Sequence, residues 1–380
     1  MKIFFQTITS EILFFIHNKK YLILFLLPIL YFLLITGIYS QKVIIKVPVI
    51  SCDLSNSNTS RLLLRYLNLT RSINIKYSTT DYSDIKKYIL ARKVYAGLYI
   101  PKDFEQKLKK GQQADLLLFL DGTNILIANN ISADAKQVIT TISTGIKIKL
   151  LRKSGNIKNK ANDLSMQITS DSRKLYNPYY NYLNYLIPGI TLAVLQQFFM
   201  LFGVIASLQF INFKKINNLS EALIIYASKM FFYLAYSTII FFTITLILFP
   251  LFGINITGNM LLNYLYFELF VTMVFLIGGF CATLMKDGVD AVKAILLISS
   301  PAFILSGYTW PISSMPFFIK PIAYLIPLTV FLEGFRNYAI KGLGFYYIRS
   351  SFIYVLIGSI ILIFLFYLTA IHKFAKRKIC

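Results

Sequence analysis

The sequence predicts a polytopic α-helical membrane protein: six transmembrane helices, with an α/β domain inserted after the first. Three observations predict it. Of 380 residues, 56% are apolar and only 14% are charged, where a soluble chain is nearer half and a quarter. Mean hydropathy is +0.62. Uncharged apolar runs reach the length, about 20 residues, that a helix needs to cross hydrocarbon. A soluble single-core enzyme is thereby excluded.

Residues 1–20 read as a cytoplasmic amphipathic elbow helix. Ile3, Phe4, Ile8, Ile12, Phe15 and Ile16 fall on one broad face, as in a helix lying in the membrane interface. The first span is 21–39, 19 residues without a charge. It exceeds a signal-peptide core and lacks a small-x-small site after it, so it reads as an uncleaved anchor. Further runs at about 186–210, 230–249, 263–284, 294–309 and 350–371 form a five-helix transmembrane domain over 186–371. Pro301 in the short fifth run predicts a broken or tilted helix.

Lysine and arginine set the orientation. With the N-terminus inside, segments 1–20, 211–229, 285–293 and the tail 372–380 hold 12 basic residues in 57; the short outside segments hold 3 in 52. Both termini are therefore expected in the cytoplasm and residues 40–185 outside it. Cys52, Cys281 and Cys380 then fall in three compartments, which excludes an intramolecular disulfide. The net charge of +23 first suggests nucleic acid or anionic lipid. Laid along the chain, 23 of the basic residues lie in 40–185 beside ten acids. Nucleic-acid binding loses its support, and a basic outer domain facing lipid or an acidic partner remains, beside plain codon bias.

That outer domain alternates in character. Strands are expected at 47–53, 73–78, 96–101 and 114–122, and helices at 57–69, 81–92 and 102–110, the last ended by Gly111. One or two long polar helices from Asn129 to about Lys174 return the chain to the membrane. No metal-ligand spacing or catalytic triad is present, which favours a binding or docking domain over a catalytic one. His17 and His372 are isolated and carry no metal-site reading.

Several segments carry a family resemblance. AGLYIPKDFEQKLKKGQQADLLLFLDGTN (96–124), NPYYNYLNYLIPGI (177–190) and LSGYTWPISSMPFFIKPIAYLIPLTVFLEGFRNYAIKG (305–342) resemble, in order and spacing, the corresponding stretches of type 2 ABC transporter permeases. The resemblance implies the transmembrane subunit of an exporter in the bacterial inner membrane. Such a subunit moves drugs, lipids or another amphipathic substrate outward as a homodimer or heterodimer. A separate ABC ATPase subunit would energise it, carrying the ATP and Mg, with no cofactor on this chain; a periplasmic adaptor and membrane lipid are further implied partners. The sequence agrees on one point: it contains no G-x-x-x-x-G-K-[ST] phosphate loop. A non-transporting membrane protein, mechanotransmitting or phage-receptor-like, shares the one-plus-five layout and is the second reading.

Candidate residues follow. For coupling to the ATPase the resemblance points to Glu11, exposed on the elbow helix, and to Glu221, on a short helix in the loop 213–228. That loop lacks the family's E-R-E-x-G-T-x-E pattern and keeps one Glu. Lys214 and Lys215 read both as topological anchors and as coupling residues. Glu268 sits within the fourth span, where an ionisable group is a functional candidate by default, or else snorkels outward. Ser306, Gly307, Pro311, Met315 and Pro316 break the helix after the fifth span. A re-entrant segment near 305–340 capping the translocation path accounts for them, as does a surface loop. Trp310 with Tyr308 reads as an interfacial aromatic anchor, and Glu333 with Arg336 as an i,i+3 pair.

Overall fold

The computed structural model describes residues 2–39, 45–110, 112–153, 181–212, 219–285 and 287–379, in two compact units, 1–42 with 174–380 and 43–173. In the first unit each apolar run is helical, because a segment in hydrocarbon must satisfy its own backbone. Helix α1 (Lys2–His17) meets α2 (Lys19–Ile38) at a bend of 73°. Helix α7 is Tyr182–Asn212; the helices α3 to α6 belong to the inserted unit. Helix α8 runs Leu219–Phe242 and continues through a π-helical segment, Thr243–Leu248, to Leu251. Helices α9 (Met260–Leu284) and α10 (Gly288–Leu305) follow. Two short helices, α11 (Ile319–Leu325) and α12 (Pro327–Phe335), precede α13 (Arg349–Ile379). Five of these helices are long and apolar enough to span, and the bent α1–α2 pair makes a sixth if read as one interrupted span. The protein is a multi-pass helical membrane protein.

Two boundaries differ from the sequence reading. Helix α8 begins at Leu219, not near 230, and absorbs most of the expected loop. Helix α10 continues through Pro301 without a break; a span tolerates the missing N–H where neighbouring groups re-satisfy the backbone.

Helix α9 is the central element of this unit. It packs on α7, with Tyr266, Phe267, Phe270, Val274 and Phe275 buried. The contact is backbone on backbone. A methyl group added at Gly203 of α7 would lie 2.0 Å from the Phe275 carbonyl oxygen, and one at Gly278 of α9 would lie 1.9 Å from that of Met200. Small residues at such a crossing let dispersion attraction act at close range where no hydrophobic driving force exists.

The inserted unit is α/β. Strands β1 (Val47–Asp53), β2 (Ile73–Thr79), β3 (Ala96–Ile100) and β4 (Leu117–Leu120) form a sheet in the order β2-β1-β3-β4. Strand β1 is parallel to β2 and β3, while β4 is antiparallel to β3 and shorter than the alternation in 114–122 suggests. Helices α3 (Asn58–Leu69) and α4 (Tyr82–Leu90) join the parallel strands. Alternation in β1 sends Val47 and Val49 toward one core with Leu63 and Leu67 of α3, and Ile50 and Cys52 toward another with Ile85 of α4.

Helix α5 (Phe104–Lys109) follows β3; Gly111, expected to end it, lies outside the described residues. Helix α6 (Ile125–Lys153) closes the first core with Ile131 and Ala135. It is held to the start of β2 by Ser72, whose N–H and hydroxyl donate to Asp134 at 3.0 and 2.6 Å. The Asp-Gly-Thr stretch is structural here: Asp121 accepts from the Thr123 N–H and hydroxyl at 3.0 and 2.6 Å, bonds that hold its carboxyl below the usual carboxylate range.

Because the α7–α9 contact leaves no room for a side chain, Gly278→Ala is expected to cost about 1–3 kcal/mol. Gly37→Ala, with nothing within 4 Å of the added methyl, should stay within about 0.5 kcal/mol. Melting temperatures of the two purified variants in one detergent check the contrast.

Candidate functional site

Three polar arrangements lie among the helices of the membrane unit. The first joins α1 to α8. Glu11 and the Lys229 ammonium form an ion pair, each side chain only 4% exposed. Around it Phe15 packs on Phe232 and Tyr233, and the Tyr236 hydroxyl donates to the Phe25 carbonyl of α2. The elbow is thus clamped to α8 by charge and aromatic contact, and α2 by a hydrogen bond.

This corrects the expectation for Glu11, which is not exposed. Glu11 and Phe15 are buried and Phe4, Ile8 and Phe14 part-buried, while the polar Gln6, Thr9, Ser10 and His17 are exposed along with Phe5, Leu13 and Ile16. Lys229 is corrected with it. Counted as a free cytoplasmic cation, it is buried in a helix as the partner of Glu11.

The second arrangement surrounds Glu268 on α9. The Ser237 hydroxyl of α8 lies 2.8 and 2.7 Å from the two carboxylate oxygens, and Thr238 Oγ1 lies 3.3 Å from Oε1. Thr238 also meets the Tyr264 hydroxyl at 3.0 Å. Glu268 therefore does not snorkel along its own helix; it turns sideways to hydroxyls on a neighbouring span.

The third is the helix-breaking block after α10. Gly307 adopts φ +74°, a left-handed turn that suits glycine, and Ser306 caps the helix end by donating to the Phe303 carbonyl at 2.6 Å. The chain then turns through Pro311, Met315 and Pro316 into the short helices α11 and α12. Ser306 and Met315 are buried, as are Leu328, Thr329, Phe331 and Leu332 of α12, while Trp310, Pro311, Pro316 and Phe317 are exposed.

Tyr308 is 2% exposed, which overturns its reading as an interfacial anchor; Trp310, at 57%, keeps the exposure such a role needs. Tyr308 exchanges hydrogen bonds with Tyr185 of α7: its hydroxyl donates to the Tyr185 carbonyl at 2.6 Å, and the Tyr185 hydroxyl donates to the Tyr308 carbonyl. Its ring occupies the space that a side chain at Gly189 would take, and the Arg336 guanidinium lies 4.2 Å from the ring centroid. Among the described residues no ion pair joins Arg336 to Glu333, which is exposed; the cation turns to the ring instead.

Glu221 lies in the first turn of α8 itself, half-buried, and not on a separate short helix. An acid there also favours the helix by opposing its dipole. Lys214 and Lys215 lie outside the described residues. No group of His, Cys, Asp and Glu among the described residues is placed to hold a metal ion.

Sequence reasoning missed Lys229, Ser237, Thr238 and Tyr264, and misplaced Tyr308. Only the last left a trace, in the i,i+4 spacing of Tyr185 and Gly189, which opens a ring-sized notch beside a tyrosine.

A family model described as ABC-2 family transporter protein matches residues 19–369, nearly the whole chain. No curated protein matches it.

Removing one partner of a buried pair strands the other charge. Glu11→Gln is expected to destabilise the purified protein by about 3–5 kcal/mol, seen as a lowered melting temperature. Glu11→Gln combined with Lys229→Met should recover most of that loss. Equal melting of Glu11→Gln and wild type would show that the pair does not support the fold.

Proposed function

The chain belongs to the ABC-2 family of transporter proteins, and from that premise we propose that it is the transmembrane subunit of an ATP-driven exporter. It would move drugs, lipids or another amphipathic substrate outward across the bacterial inner membrane as a homodimer or heterodimer. The observation that carries this reading is the family match over residues 19–369 in a chain without a phosphate-binding loop. Energy must then come from a separate ABC ATPase subunit that holds the ATP and Mg. Family membership also favours transport over mechanotransmission.

The geometry supports a division of labour. The N-terminal end of α8 carries Glu221, and the same helix holds the elbow through Lys229 and faces Glu268 through Ser237. A push from the ATPase on Glu221 and the adjoining Lys214 and Lys215 would reach both the elbow and the intramembrane carboxylate through one rigid rod. Basic-residue asymmetry supports both termini and the start of α8 on the cytoplasmic side. The inserted α/β unit is then extracytoplasmic, where lipid or a periplasmic adaptor can meet its basic surface. The block from Ser306 to Pro316, with α11 and α12, serves as a re-entrant cap on the path, since irregular backbone at membrane depth persists only inside protein.

Pull-down of the tagged chain with identification of its partners tests the reading, and recovery of an ABC ATPase is the expected result. Glu221→Lys should then lower both ATPase recovery and substrate efflux by about tenfold or more, equivalent to about 1.4 kcal/mol, with membrane insertion unchanged. Normal efflux together with normal ATPase recovery would exclude Glu221 from the contact.

A further inference from the structure

We infer that the hydroxyl-lined contact between α8 and α9 around Glu268 binds an amphiphilic organic cation that reaches it from the bilayer. The inference rests on the export reading and deepens it, naming the substrate class from the site's chemistry.

Glu268 lies eight residues beyond the start of α9, about 12 Å along the helix at 1.5 Å per residue. A carboxylate at that depth needs either a counter-charge or enough donors to replace water. Its donors are few. Ser237 and Thr238 each carry one hydroxyl proton, and each also faces the Leu234 carbonyl, at 2.7 and 2.9 Å. Those protons are shared, so the four lone-pair sites of the carboxylate are far from filled. Among the described residues no Lys, Arg or His forms an ion pair with Glu268. The same unit supplies a full counter-ion to its other helix-buried carboxylate, Glu11, through Lys229. Glu268 is held by neutral hydroxyls, and among the described residues its charge has no counter-ion.

What surrounds it fits an organic cation. The Tyr264 ring stacks on Phe242 at 5.3 Å between centroids and lies 5.7 Å from Phe241. Tyr264 joins the Glu268 cluster through Thr238, and aromatic faces attract ammonium and phosphonium groups, the more so when water is excluded. Thr238, Tyr264 and Glu268 are only partly buried, and the flanking Ile239, Leu261 and Leu265 are exposed at 62%, 65% and 48%. An open site with an apolar rim accommodates a hydrocarbon body along with the charge. A bare metal ion would find one carboxylate and three hydroxyls but an apolar rim in place of further oxygens.

Binding of tetraphenylphosphonium to the full-length protein in lipid nanodiscs, with no ATPase present, tests this. Triphenylphosphine oxide serves as the uncharged companion probe. Wild type is expected to bind the cation above the level of empty nanodiscs. Glu268→Gln, nearly isosteric, should weaken cation binding tenfold or more and leave the neutral probe within twofold. Phe242→Leu, which keeps the carboxylate, should weaken the cation by severalfold and decides the matter if Glu268→Gln fails to fold.

The inference is overturned if wild type does not bind the cation, or if Glu268→Gln or Phe242→Leu binds it as wild type does. Equal binding is the result expected of a carboxyl kept protonated for structural reasons. Loss of both probes in equal measure overturns it too. A chain that binds tetraphenylphosphonium through Glu268 but recovers no ATPase would leave the site standing and remove the export reading. Export unaffected by Glu268→Gln, with cation binding also unaffected, would do the opposite.

Discussion

Hydrocarbon offers no hydrogen bonds, and the membrane unit is organised around that constraint. A polar side chain at depth bonds back to its own helix, as Thr191 and Thr245 do, or finds a partner on another, and each partnership of the second kind fixes two helices against each other. Glu11 with Lys229 sets the elbow on α8. Ser237 and Thr238 with Glu268 set α8 on α9. Tyr308 with Tyr185 sets the helix-breaking block on α7. Apolar packing supplies most of the contact area and fixes register where backbones meet, as at Gly203 and Gly278. The polar pairs add fixed points where side chains alone separate the helices.

The same constraint explains how far the residues could be read in order. Span positions were legible because they depend on composition alone, and the strands of the inserted unit because alternation is local. The start of α8 was not. Ser-Glu-Ala-Leu-Ile-Ile-Tyr-Ala-Ser-Lys looks like a loop with a short helix because its two charges interrupt the apolar run. The helix continues through them because Glu221 sits at its favourable end and Lys229 has a partner 218 residues earlier. Pairings between distant positions leave no periodic signal. Glu268 was visible as an intramembrane acid, while the Ser237 that holds it stands 31 residues earlier on another helix. Tyr308 failed for a different reason: an aromatic next to a tryptophan matches an interfacial belt, and only the notch at Gly189 distinguishes a buried ring.

Glu11 on α1 follows the same logic. Gln6, Thr9, Ser10 and His17 of that helix are open, and its one acid is buried because Lys229 on a neighbouring span supplies its counter-ion. An exposed contact residue on an elbow helix cannot be assigned from amphipathicity alone, since the partner that buries it stands elsewhere in the chain.

The glycine crossing of α7 and α9 has a kinematic meaning. Two helices in backbone contact at Gly203 and Gly278 cannot slide or twist past one another without first separating, since each carbonyl blocks the other's travel. Whatever cycle this subunit undergoes, these two helices travel as a single strut. Relative movement is left to the parts joined through side chains: α8 with its elbow, α13, and the broken hairpin after α10. The strut is the frame of reference against which any stroke would have to be measured.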